Sequence, residues 1–133
     1  MKTIAQKVSA QRTLQGVETI SYTIDAAGKT LGRVASDAAQ ALLGKKSPLY
    51  VKNLVLPVDV TITNASKLNL TEQRIKGKEY THFTGHVAGL RITSMQMMLE
   101  KKGVEEVIRH AVDGMIPRNK LRKERMKRLT ITA

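Results

Sequence analysis

Three places in this sequence hold residues whose types and spacing could do chemistry. Gly28-Lys29-Thr30 reads like the end of a phosphate-binding loop. A full P-loop needs a second glycine five residues before Gly28, and that position is Thr23. The other reading is a tight turn feeding a helix, with Lys29 facing solvent or a phosphate. His82 and His86 are four apart, the spacing of two metal ligands on one helical face. Gly85 lies between them and no carboxylate is placed as a third ligand, so they read instead as polar loop residues that touch a partner. The third place follows Pro117. Arg118, Lys120, Arg122, Lys123, Arg125, Lys127 and Arg128 are answered there only by Glu124. On a helix this stretch would present cations around most of the circumference.

Nothing else resembles a reaction centre. No serine has a glycine-flanked nucleophile context. Glu105 and Glu106 fall in the first turn of an expected helix and complement its dipole. Met95, Met97 and Met98 read as packing, and His110 as a surface or half-buried structural residue. No catalytic group, metal or cofactor is expected. There are no cysteines, which removes disulfides and thiolate sites and fits a reducing compartment.

The charge is the strongest signal. A formal net charge of +12 on 133 residues calls for a polyanion. Besides the stretch after Pro117, one cluster is Lys45, Lys46 and Lys52. Another is Arg74, Lys76 and Lys78, with Arg91 counted alongside. No apolar run is long enough to span a membrane, and no basic helix carries an aromatic face to lie on one. Aromatic residues make up only 3%, too few for a reader of single strands by serial stacking. Helix-turn-helix, zinc and zipper signals for DNA are missing. Many cations with few rings suit a protein that grips the backbone and shape of folded RNA.

These groups need a scaffold. Met1 to about Thr19 reads as a basic arm, weakly like an organelle transit peptide but favoured as an extension of a cytoplasmic protein. Ile20, Tyr22 and Ile24 alternate with polar residues as a strand does, and Asp25-Ala26-Ala27-Gly28 is a turn. Leu31, Val34, Ala35, Ala38 and Leu42 make a helical stripe, with Thr30 as N-cap and Gly44 as the stop. Val58, Val60 and Ile62 form a second strand, so the unit should be parallel with a right-handed crossover. Leu68–Thr71 is a further extended piece, Glu79–Thr84 another strand, and Gly85 and Gly89 bracket a turn. A helix is expected from Thr93, with Thr93 and Gln96 as a capping box, ending at Gly103. The next runs from Val104 to the stop at Pro117.

The chain resembles the universal large-subunit ribosomal protein thirteen family from about Tyr22 to Leu129. The residues that carry the likeness come in order and at family spacing. They are Ile24-Asp25-Ala26, Gly28-Lys29-Thr30-Leu31-Gly32-Arg33, Gly44-Lys45, Asn64-Ala65 with Lys67, and Lys78 with Tyr80. Phe83-Thr84-Gly85-His86 with Gly89, Ala111-Val112, Gly114-Met115-Ile116-Pro117 and Leu121 follow. The resemblance implies a three-layer α/β/α fold around a short, mainly parallel sheet of about four strands. It also implies binding to large-subunit ribosomal RNA and a role in early subunit assembly. By position it points to Lys29, Arg33, Lys45, His82, Thr84, Gly85, His86, Arg118 and Lys123 as RNA neighbours. Three places depart from the family pattern. Leu56-Pro57-Val58 stands where a polar Thr-Gly-Asp turn is usual, Thr71-Glu72 where Thr-Gly is, and Leu121-Arg122-Lys123 where Leu-Gly-Arg is. The family's His-Pro-His tail has no counterpart before Ala133.

The expectation is therefore a basic arm over 1–19, an α/β domain over 20–117 and an RNA-binding segment over 118–133. The protein should be a non-catalytic ribosomal constituent that clamps ribosomal RNA beside neighbouring large-subunit proteins, in cytoplasmic rather than organelle ribosomes. A free RNA- or DNA-binding regulator is the first rival, and a nucleotide-dependent enzyme the second. Lys46, Lys52, Arg74, Lys76, Lys78, Arg91, Lys120, Arg122, Arg125, Lys127 and Arg128 join the family positions as expected RNA contacts.

Overall fold

The computed structural model describes residues 19–133, so the basic arm lies outside the described residues except for Thr19. Strands β1 (Ile20–Asp25), β2 (Val58–Thr63) and β5 (Leu129–Ile131) form a parallel sheet in the order β1-β2-β5. Strands β3 (Glu79–Phe83) and β4 (Leu90–Ser94) pair antiparallel as a separate hairpin. The helices are α1 (Leu31–Leu42), α2 (Glu72–Gly77), α3 (Met95–Met115) and α4 (Arg122–Lys127), with a 3₁₀ turn at Ala65–Lys67. The expected α/β class is borne out, with three parallel strands and a distinct antiparallel pair.

Pairing with β1 on one edge and β5 on the other puts β2 at the centre of the sheet, and its alternation buries one face. Val58, Val60 and Ile62 are buried in register with Ile20, Tyr22 and Ile24 of β1. Removing each such aliphatic side chain from water is worth about 1.5–3 kcal/mol. Helix α1 lies on this sheet and α3 packs against α1. Ala35, Ala38, Ala39 and Ala41 of α1 are buried, and their small side chains let the helix approach its neighbours closely. The opposite sheet face carries Ser21, Thr23, Asp25, Asp59, Thr61 and Thr63.

The ends of α1 are where the sequence places them, with one difference. Thr30 occupies the N-cap position in extended backbone, but its side chain makes no capping hydrogen bond. At the other end Gly44 has φ +78°. Its N–H donates to the Ala41 carbonyl and that of Lys45 to the Gln40 carbonyl, a Schellman closure. A Cβ at Gly44 would collide with the side chain of Leu56.

The helix expected from Thr93 starts one residue later. Thr93 belongs to β4, where it pairs with Tyr80, and the cap is Ser94, whose hydroxyl accepts from the Met97 N–H at 3.3 Å. The two expected helices meet within α3 at Gly103, which has non-helical φ +80° and ψ 179° and breaks the helix where the sequence places the stop. That backbone region is essentially open to glycine alone. Nothing lies within 4 Å of a Cβ built there, so Gly103→Ala adds strain without a clash. The expected loss is about 1–3 kcal/mol, read as a lower urea midpoint with an unchanged m-value.

Candidate nucleic-acid interface

The β1–α1 turn is tied down by its own backbone. The Gly28 N–H donates to Lys67, the Lys29 N–H to Ala26, and the Asn69 N–H to the Lys29 carbonyl, at 3.0–3.1 Å. Donors that a P-loop would aim at phosphates are thus spent internally, which leaves Gly28-Lys29-Thr30 as a turn that displays Lys29. Below it, Asn64 Nδ2 and the Ala27 N–H donate to one Asp25 carboxylate oxygen at 2.9 and 3.0 Å. These bonds, with Lys29 and Lys67 nearby, hold the Asp25 carboxyl below its ordinary range.

The cluster after Pro117 is divided by the fold. Arg118, Lys120, Lys123 and Lys127 are exposed and enter no ion pair among the described residues. Arg122 meets Asp113 of α3 at 3.2 Å and Arg128 meets Asp59 of β2 at 3.2 Å. Arg125 does not face solvent. It is 2% exposed, and its Nη2 donates to the Leu54 carbonyl at 3.2 Å. The physical reason is that β5 joins β2 directly after α4, so one side of this short helix must turn inward. The Arg125–Leu54 bond sets Leu54 against α4, and Lys52 is exposed in the same loop. Lys46 sits 5.3 Å from the centre of the Tyr22 ring, and Lys45 is exposed beside it.

The second cluster lies at α2 and the hairpin, where Arg74, Lys76, Lys78, His82 and Arg91 are all exposed. His82 pairs with Arg91 and Tyr80 with Thr93, so these four share one face. Phe83, Leu90 and Ile92 lie on the other face and are exposed. His86 is in the turn beyond β3, so the two histidines do not share a helical face. The turn itself accounts for two glycines. Gly85 has φ +88°, and a Cβ at Gly89 would strike the Thr84 hydroxyl and the His86 carbonyl. Thr84, Gly85 and His86 are exposed at this tip, and Arg33 is exposed on the first turn of α1.

Where the hairpin meets the body, Arg74, Lys78, Tyr80 and His110 border a cleft of about 320 Å³. The Tyr80 and His110 rings stand 4.7 Å apart at 57°, and the Lys78 ammonium is 5.6 Å from the Tyr80 ring centre. Burial pushes the Tyr80 phenol up, against the pull of Arg74, so it stays a neutral hydrogen-bond donor. In the sequence Tyr80 stands out only with Lys78 in the family likeness, and His110 only as a surface or half-buried structural residue. Thirty positions separate them along the chain, and no periodicity links a strand residue to a residue on a distant helix.

Comparison with known proteins finds a family for the chain. The family model for ribosomal protein L13 matches residues 19–133. The chain is 44% identical over 112 residues to the large ribosomal subunit protein uL13 of Clostridioides difficile, covering 84% of this chain and 78% of that one. It is 42% identical over 117 residues to the uL13 of Spiroplasma citri, covering 88% and 80%. The uL13 of Rubrobacter xylanophilus is 40% identical over 117 residues, covering 88% and 81%.

Proposed function

Because the chain belongs to the ribosomal protein L13 family, we propose that it is a structural constituent of the large ribosomal subunit that clamps ribosomal RNA and performs no catalysis. The observation that carries this is the spread of exposed cations over two zones of one small body. One zone is Lys123 and Lys127 on α4, and the other is α2 with the hairpin; exposed Lys52 adds to the cations. Phosphate-bearing segments lying on the two zones are neutralised by the same rigid domain, and the counterions released favour their approach. Held that way, RNA strands that repel one another can pack while the subunit assembles. Lys29, Arg33, Lys45, Lys46, Arg118 and Lys120 extend the grip. Neighbouring large-subunit proteins would complete the surroundings.

Sedimentation tests this reading. In a lysate separated on a sucrose gradient at high salt, the chain should travel with the large subunit. Recovery at the top of the gradient would favour a free nucleic-acid-binding protein instead.

A further inference from the structure

The cleft between α2, β3 and the C-terminal half of α3 has a chemistry that phosphate neutralisation alone does not use. Two cations, Arg74 and Lys78, border it beside an aromatic pair, Tyr80 and His110. Leu31, Met95 and Met115 supply apolar walls, and no carboxylate is among its lining residues. Its volume of about 320 Å³ lies at the small end of ligand-binding cavities, room for one flat ring and its substituents. We propose that this cleft receives a single unstacked nucleotide of the bound RNA, with the base against Tyr80 and His110 and the phosphate on Arg74 and Lys78. The inference rests on the RNA-clamping reading and adds a base-recognising site to it.

Four features favour a nucleotide over a bare phosphate. Folded RNA offers proteins its unstacked bases in loops and bulges, where they settle on aromatic planes. His110 is exposed and stands tilted against Tyr80, so a base meets two adjoining ring surfaces and not a lone ring. The hairpin face that carries Tyr80 also carries His82 and Arg91, which gives the RNA backbone a path into the cleft. Gly32 and Gly114 are in the lining and have nothing within 4 Å of where a Cβ would be, so the walls stay open there.

The test uses the full chain and two short single-stranded RNA oligonucleotides of equal length, one bearing bases and one abasic, at matched salt. The base-bearing RNA should bind about ten-fold more tightly, the scale of one base stacked on an aromatic side chain. That preference should vanish in His110→Ala and in Tyr80→Leu, while the remaining binding keeps its salt dependence. His110 is exposed, so its variant reports on the site even if Tyr80→Leu fails to fold. Equal binding of the two oligonucleotides by the wild-type chain would overturn the proposal, as would a preference that survives His110→Ala. Adenosine monophosphate binding as tightly as the oligonucleotide would make the cleft a free-nucleotide site and overturn it as well. If neither oligonucleotide binds at low salt, the proposal is overturned as well, while the clamping reading stands or falls with the sedimentation result.

Discussion

Replacing Arg118, Lys120, Lys123 and Lys127 together by glutamine should cut affinity for large-subunit ribosomal RNA by ~10²–10³-fold near physiological salt. Each phosphate contact adds roughly 0.7–0.9 to the slope of log affinity against log salt, so losing four flattens that slope by about 3. All four side chains are exposed and none is held in an ion pair among the described residues. Their removal therefore takes nothing from the core, and the unfolding free energy from urea titration should stay within about 0.5 kcal/mol of wild type. This set is not the one the sequence suggests. Arg122 already spends its charge on Asp113, and Arg125 is inside. Filter binding over a salt series checks the expectation. An unchanged slope would mean that the segment is merely solvated.

Arg125→Ala should do the reverse and cost about 2–4 kcal/mol of stability with little change in salt slope. The estimate combines the cavity left by a large buried side chain with the loss of the Leu54 carbonyl's donor. The native arrangement is itself imperfect, because Arg125 Nε is buried with no hydrogen-bond partner among the described residues. Arg125→Met keeps most of the volume and removes that desolvated group, so it should lose less than the alanine variant. Urea unfolding ranks the three proteins. If Arg125→Ala kept full stability and lowered the salt slope, the side chain would have to point outward in solution.

These two expectations differ because of one feature that could not be read from composition. Seven cations in eleven positions look alike along the chain. What separates them is β5. Leu129 and Ile131 are buried at 5% and 8%, and Thr132 donates to the Ile62 carbonyl, so the chain just after the cationic run is stitched to the central strand. A three-residue strand is too short for alternation to identify it, and its parallel partner lies more than sixty positions earlier. The hairpin shows the same limit. Polar β3 was visible as a strand, but Leu90, Ile92 and their neighbours in β4 are exposed and lack a buried face to betray them. The helix start slipped by one residue because Thr93 and Ser94 are equally good caps, and only strand pairing up to Ser94 decides between them.

By itself the sequence determined the α/β class, the parallel β1–α1–β2 unit, the stops at Gly44 and Pro117, and the demand for a polyanionic partner. Those follow from local periodicity, turn chemistry and net charge, which are properties of neighbouring residues or simple sums. Tertiary structure alone decided which cations face outward, which are paired with Asp59 and Asp113, and that Tyr80 meets His110 beside Arg74 and Lys78. Each of those depends on the register of strands and helices distant in the chain, and a charge becomes a ligand for RNA or a buried strut according to which side of that packing it falls.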